Sequence, residues 1–197
     1  MNSKFYFLLS IFFVVIVAIV GIFYFFENNL NSKQAQVVEN ANTKNSILGE
    51  GFNKFVHPTM GFSFEYPEEL KVESFKESDG GETIVFQKRG DQLDWPTEKK
   101  TGFQIFVVPF DDEGNGLALE KIKNDLAGIT IEEPEEAFIG NNAGQPKKAW
   151  IFWIKNPQIG KTREVWFTDG GYLFEITTYE HLDNWLANIM STWSCCK

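Results

Sequence analysis

The loop Asp111-Asp112-Glu113-Gly114-Asn115-Gly116 has the oxygen-rich composition of a calcium site. In the register of an EF-hand loop, Asp111, Glu113 and Asn115 take ligand positions one, three and five. Position twelve, which should supply a bidentate glutamate, is Ile122, and a predicted strand precedes the loop where a helix is required. We therefore interpret the loop as a strand-to-helix connection with acids near a helix N-terminus. Asp111, Glu113 and Asn115 are kept as a calcium candidate that lacks a complete ligand set.

A second acidic segment, Glu132-Glu133-Pro134-Glu135-Glu136, has the residue type of glycosidase chemistry. That chemistry needs two carboxyl groups held across a bound sugar, one of them with a pKa raised by burial. Consecutive acids around a proline are more typical of the solvated start of a strand. An anchored hydrolase or carbohydrate-active protein with an unrecognised carboxylate site is the alternative function. Replacing Asp111, Glu113 and Glu135 would test it.

Motifs for nucleophilic or phosphate chemistry are missing from the sequence. It contains no G-x-S-x-G, no H-E-x-x-H and no P-loop. The two histidines, His57 and His181, are interpreted as isolated surface residues. We expect no catalytic residue, no cofactor and no enzymatic activity.

The tryptophans and cysteines are the other residues that could take part in binding or in cross-links. Trp185 and Trp193 lie on the apolar stripe of a predicted helix and are interpreted as core, while Trp166 is expected on the sheet face opposite Trp150. Trp95, in the long loop 89–100, is the candidate for a surface contact with a partner. A disulfide between the adjacent Cys195 and Cys196 would be strained and rare. We therefore interpret them as terminal thiols without a role, with pairing between chains as the alternative.

The net charge of −9 excludes a nucleic-acid-binding protein, which needs a basic face. Because Lys4 is the only charged side chain before Glu27, the rest of the chain carries −10. That surface is repelled by anionic lipid and attracts cations or basic partners.

The N-terminus predicts a membrane span. Phe5–Phe26 contains no acid or base, and a helix of this length reaches about 33 Å, enough to cross the hydrocarbon core. A cleaved signal peptide would have a shorter apolar core and a small-x-small site, which Glu27–Leu30 does not offer. With Lys4 before the span and Glu27 after it, we expect a single-pass protein of the cell membrane with a cytoplasmic N-terminus and an extracytoplasmic C-terminal domain.

Three regions follow from composition. Residues 1–26 form the predicted anchor, residues 27–54 an Asn-rich flexible linker with a reach of about 30 Å, and residues 55–197 a domain able to bury a core.

Strand patterns dominate the predicted domain, and two helical stripes accompany them. Because several strands are apolar on both faces, we expect an α+β fold: an α/β/α sandwich, with one mainly antiparallel sheet covered by a helix on each face. The predicted strands are 61–67, 70–75, 82–88, 103–110, 148–155, 161–168 and 172–178, and the predicted helices are 117–127 and 181–193.

This order of elements, with the segment GFSFEYP at Gly61–Pro67, resembles the PsbP-like fold. That superfamily includes extrinsic photosystem proteins, bacterial extracytoplasmic lipoproteins and a nuclear factor that binds the GTPase Ran. The resemblance covers residues 55–197 and implies an accessory or binding protein without enzymatic activity. It transfers no functional residue, and the predicted anchor departs from the photosystem proteins.

The leading hypothesis is therefore a single-pass membrane-anchored protein that presents a non-catalytic PsbP-like binding domain to a protein partner at the outer membrane face.

Overall fold

The computed structural model describes residues 50–78, 80–88, 101–111, 117–140, 146–156 and 160–195. The predicted membrane span, residues 5–26, lies outside these ranges. Within them, no helix has the length and apolar content needed to cross a membrane.

A two-stranded hairpin opens the described chain. Strand β1 (Phe52–Val56) pairs antiparallel with β2 (Ser63–Pro67). β1 begins inside the predicted linker 27–54, and β2 matches the predicted strand at 61–67. The hairpin is tied to the C-terminal segment by an antiparallel bridge between Ser63 and Ser194.

Seven further strands form one antiparallel sheet in the order β3-β4-β5-β9-β8-β7-β6. Six of them match predicted strands, and β6 is the additional one. The strands are β3 (Leu70–Lys76), β4 (Glu82–Lys88), β5 (Gly102–Pro109), β6 (Ile131–Ile139), β7 (Lys147–Asn156), β8 (Gly160–Asp169) and β9 (Tyr172–Tyr179).

The sequence Asp169-Gly170 is typical of a type I′ turn, but the turn between β8 and β9 falls one residue later. Asp169 still pairs with Tyr172, so the two turn residues are Gly170 and Gly171. Their φ angles of 58° and 83° are the positive values that a type I′ hairpin turn requires.

Two short helices accompany the strands: α1 (Leu119–Asp125) and α2 (Asp183–Met190), the latter preceded by a 3₁₀ turn at Glu180–Leu182. They have seven and eight residues, too few to cover a seven-stranded sheet. The predicted sandwich with a helix covering each face is therefore wrong. The fold is a mainly antiparallel sheet, and the β1–β2 hairpin supplies much of the cover on one face.

The main core lies between that hairpin, α2 and the sheet. Its centre is a group of aromatic rings, with Phe55 against Phe86 at 5.2 Å and Phe62 against Phe174 at 5.1 Å between centroids. Trp193, just after α2, stacks on Phe62 at 4.9 Å. Edge-to-face and stacked ring pairs of this kind stabilise a core beyond their buried area.

The other face of the sheet carries α1. Ile122 and Leu126, on and just after this helix, are buried, and so are Phe152 of β7 and Trp166 of β8. The Trp150 Nε1 group donates a hydrogen bond to the Leu117 carbonyl at 2.9 Å, which fixes the chain just before α1 to β7.

Candidate functional site

One polar cluster lies where the β1–β2 hairpin meets the sheet. We call it the His57 centre, and it consists of the buried His57 and Glu82, the partly buried Ser74, and Lys76, which reaches Glu82 from the solvent side. Glu82 Oε2 lies 3.0 Å from His57 Nε2, and Ser74 Oγ and Lys76 Nζ of β3 also donate to this carboxylate. His57 and Glu82 are 2% and 4% exposed, so the expectation of a surface His57 is wrong. His181, in contrast, is exposed.

The hydrogen bonds of His57 define its tautomer. Nδ1 accepts the backbone N–H of Met60 at 3.1 Å, so this nitrogen carries no proton. Nε2 therefore carries the proton and donates it to Glu82. The ring also stacks on Phe62 with centroids 4.9 Å apart. Both ring nitrogens and one ring face are thus engaged inside the protein.

The electrostatics of Glu82 are dominated by its partners. Burial by itself raises the pKa of this carboxyl, but the hydrogen bonds from His57, Lys76 and Ser74 outweigh it and lower the pKa to about 2. The carboxylate is therefore ionised throughout the physiological range.

The order of the groups excludes triad chemistry at the His57 centre. In a Ser–His–acid triad the histidine lies between the serine and the acid and takes the serine proton. Here Glu82 lies between Ser74 and His57, and the Ser74 hydroxyl donates to the carboxylate. The cluster holds β3, β4 and the loop after β1 together and does not activate a nucleophile.

A second polar cluster lies on the opposite face of the sheet. Glu164 pairs with Thr177 and Trp166 pairs with Glu175 across β8 and β9, so the two glutamates are diagonal neighbours on one face. We call Glu164 and Glu175 the carboxyl pair. Glu164 is buried, and Glu175 keeps part of its surface in solvent.

Burial sets the pKa values of the carboxyl pair. It raises the pKa of Glu164 to about 7, although Thr162 and Thr177 donate hydrogen bonds at 2.9 and 2.8 Å. It raises the pKa of Glu175 to about 8, with help from the negative charges of Glu164 and Asp125 and against the positive charge of Lys121. Both groups can therefore bind or release a proton near neutral pH.

The indole of Trp166 lies beside this pair. It is 4% exposed, and it is close enough to Glu164 to lower the pKa of that carboxyl. Yet its Nε1 makes no hydrogen bond to any group in the described part of the chain. A buried hydrogen-bond donor without an acceptor lowers the free energy of unfolding. The packing around the carboxyl pair is therefore less stable than that of a fully hydrogen-bonded site.

The calcium candidate falls mostly outside the described residues. Asp111 is exposed at the end of β5, whereas Glu113 and Asn115 are not described. In the described ranges, no group of three or more His, Cys, Asp or Glu side chains could hold a metal ion. The candidate stays a prediction.

The acidic run 132–136 lies on β6, at the edge of the sheet, and Glu133, Glu135 and Glu136 are exposed, as the solvated interpretation expected. A register shift between Glu132 and Glu135 accommodates Pro134, which an edge strand tolerates. Three of the carboxylates are held by basic side chains of β7 and β8: Glu136 by Lys148 at 2.6 Å, Glu132 by Lys161 at 3.3 Å and Glu135 by Arg163 at 3.6 Å.

The aromatic surface differs from the expected one. Trp95 lies outside the described residues, so its role as a contact residue stays a prediction. Trp166 pairs directly with Trp150, which places both on one face and corrects the expected opposite placement. Phe138 of β6 is 72% exposed, and together with Val56 it forms the set of exposed large hydrophobic residues in the described chain.

At the C-terminus, Cys195 is disulfide-bonded, so its interpretation as a free thiol is wrong. Cys196 lies outside the described residues.

Among solved structures, the chain is similar to the solution structure of cyanobacterial PsbP (CyanoP) from Synechocystis sp. PCC 6803. The two share 13% sequence identity, the match covers 85% of this chain and 99% of that chain, and the TM-score is 0.49. A solved PsbP is thus among the structures this chain is similar to. The similarity concerns the fold and transfers no activity or partner. No protein-family model and no curated protein matches the sequence.

Sequence reasoning missed the carboxyl pair. Each glutamate is a single acid within an apolar strand, in Arg163-Glu164-Val165-Trp166 and in Leu173-Phe174-Glu175-Ile176. An acid inside a strand that is covered on both faces is a usable sign of a buried carboxyl. The sign could have singled out each residue, but only the pairing register shows that the two are neighbours.

Proposed function

We propose that the chain is a single-pass membrane protein whose extracytoplasmic domain binds a protein partner without catalysing a reaction. The apolar run Phe5–Phe26 supplies the anchor, and Lys4 before it supports the orientation. Residues 27–49 lie between this run and the described domain and give it reach from the bilayer.

The observation that carries the binding role is the exposure of Phe138. Phenylalanines elsewhere on the described sheet, such as Phe86, Phe152 and Phe167, are fully buried. Phe138 instead leaves most of its ring in water. On the same face of β7, Lys148 pairs with Phe138, and the partly exposed Trp150 is its diagonal neighbour. Exposed aromatic side chains are favoured as anchors in protein interfaces. Trp95 is the second proposed contact residue.

The alternative is an anchored hydrolase, and the carboxyl pair is the observation that favours it. Carboxylate hydrolases divide the work between a protonated acid and an ionised base or nucleophile, whose pKa values are pushed apart. Here the pKa values of Glu164 and Glu175 are both raised, and α1 packs over the same face. The pair therefore fits this chemistry less well than the exposed aromatic surface fits binding.

Affinity capture of the full chain from crosslinked membranes tests the binding role. We expect a partner that enriches with the wild type and is lost with Phe138→Ser or Trp95→Ser. Val56→Ser is the matched control, because Val56 is the other large hydrophobic residue that is exposed in the described ranges, at 49%. No enrichment above a fragment of residues 1–54, or equal loss in the Val56→Ser control, would contradict the proposal.

A reporter fused after Lys197 tests the topology. A reporter that is active only outside the cytoplasm should work in this fusion, because Lys4 keeps the N-terminus inside. Activity of a cytoplasm-only reporter at the same position would reverse the orientation.

A further inference from the structure

We propose that the carboxyl pair makes α1 a pH-responsive cover: α1 stays packed on β7, β8 and β9 while both carboxyl groups are protonated, and loss of their protons releases it. This device goes beyond partner binding, since it regulates which surface of the domain is open.

The packing of α1 is slight enough to be reversible. The helix has seven residues, and its buried contacts come from Ile122 together with Leu126 just after it. Its start is fixed to the sheet by the hydrogen bond from Trp150 to Leu117. A short element held by so few buried groups opens at lower free energy than the sheet beneath it.

The charges that face the carboxyl pair are unfavourable to its ionised form. From α1, Asp125 adds a negative charge, and Lys121, which pairs with Asp125 at 2.7 Å, supplies the opposing positive charge. The residues opposite the pair on the neighbouring strands are Phe152 on β7 and Phe106 on β5, which do not titrate. Farther along β9 the Tyr179 phenol lies on the same face, where Tyr179 pairs with Thr162.

Protonation and packing are therefore coupled. A protonated carboxyl is neutral and can stay beneath the helix, whereas two carboxylates would place up to two negative charges under Asp125. Release of α1 lets water reach the Glu164 carboxylate and adds to the solvent that Glu175 already contacts. Thermodynamic linkage then requires the open fraction to rise about tenfold per pH unit for each proton lost on opening. Opening would uncover Phe152 and Trp166, an aromatic surface that the closed state hides.

Hydrogen–deuterium exchange of the full chain in detergent micelles tests this device. Protection factors, which are exchange rates corrected for the intrinsic rate at each pH, would be measured from pH 5.5 to 8.5. We expect the amides of residues 119–126 to lose protection about tenfold per pH unit over part of this range, while the centres of β5 and β9 keep theirs. In the double variant Glu164→Gln, Glu175→Gln the protection of α1 should become independent of pH. Glu136→Gln, an exposed glutamate on β6, is the matched control and should behave as the wild type.

Three results would overturn the proposal. They are α1 protection that does not change with pH, a pH dependence that persists in the double variant, and a loss of protection in which α1 and the sheet open together. The wild-type comparison of α1 with the sheet stands on its own if the double variant fails to fold. None of these readouts involves a partner, so failure of the device and failure of the binding role are separately visible.

Discussion

The two faces of the sheet each bury a carboxyl group, and the pKa values of these two groups shift in opposite directions. Glu82, on the face covered by the β1–β2 hairpin, receives three hydrogen bonds from side chains, including one from the cation Lys76, and its pKa falls to about 2. Glu164, on the face that carries α1, receives two hydrogen bonds from threonine hydroxyls, and its pKa rises to about 7.

The difference teaches that hydrogen-bonding partners can outweigh burial in setting the charge of a carboxyl. Both residues are 4% exposed, and desolvation raises the pKa in each case. Charged and strongly polarised donors reverse that effect at Glu82, whereas neutral hydroxyls at Glu164 do not. The carboxylate on the first face therefore stays charged and links β3, β4 and the loop after β1. The carboxyl group on the second face can gain or lose a proton near neutral pH.

The largest effect is expected from the carboxyl pair. The pKa of Glu164 in the folded state lies above its unfolded value of about 4.5, so the stability it provides is complete below pH 4.5 and is lost as the pH rises to about 7. The loss is about 3 kcal/mol from Glu164, with a further loss of the same sign from Glu175. Urea unfolding of the full chain in micelles, followed by tryptophan fluorescence from pH 4.5 to 8.5, measures it. The variant Glu164→Gln, Glu175→Gln should lack this decline. An equally steep decline in the variant would show that the carboxyl pair does not cause the loss of stability.

Glu82 should show the opposite sign with a similar or smaller size. Its folded pKa lies below the unfolded value, so its contribution is complete above pH 4.5 and is lost as the pH falls towards 2. Glu82→Gln should reduce the free energy of unfolding at pH 7 by about 2–3 kcal/mol, because His57 and Lys76 lose a charged acceptor. It should also flatten the acid limb of the stability profile. A variant as stable as the wild type at pH 7 would show that the hydrogen bonds of the His57 centre do not stabilise the domain.

The smallest effect is expected at the sheet edge. Glu136 and Lys148 form an ion pair at 2.6 Å, but about half of each side chain is exposed, at 48% and 56%. Exposed pairs contribute about 0–1 kcal/mol and weaken with salt. The same urea titration should therefore place Glu136→Gln within about 0.5 kcal/mol of the wild type at any pH. A loss in free energy of unfolding as large as that of Glu82→Gln would mean that the exposure of a carboxylate does not determine its contribution to stability.

The sequence was informative where a single strand or helix carries the pattern. Strand patterns, some alternating and some apolar on both faces, located most of the sheet. The apolar stripes located both helices, but the predicted ranges 117–127 and 181–193 were longer than Leu119–Asp125 and Asp183–Met190. Helix ends depend on capping and tertiary contacts, and neither helix has a side-chain cap. The acids around Pro134 are typical of the solvated start of a strand but do not give the range of β6, where an edge position with a bulge accommodates the proline and the glutamates.

The polar sites were less predictable because they depend on contacts between distant residues. His57 lies 25 residues from Glu82 along the chain, and no local pattern indicates that they meet. The carboxyl pair likewise depends on the register of β8 and β9. A shift of that register by one residue would send one of the glutamates to the other face, so sequence spacing alone could not bring the two together.

Site-resolved titration of the glutamate side-chain carboxyl carbons by NMR, on the full chain in micelles, tests the contrast between the two faces most directly. We predict a midpoint near pH 2 for Glu82, near pH 7 for Glu164 and near pH 8 for Glu175. Because Glu164 and Glu175 interact, their two transitions should belong to the pair and shift when either residue is replaced by glutamine. Midpoints close to pH 4.5 for all three residues would contradict the account, since the two faces would then hold their carboxyls in the same way.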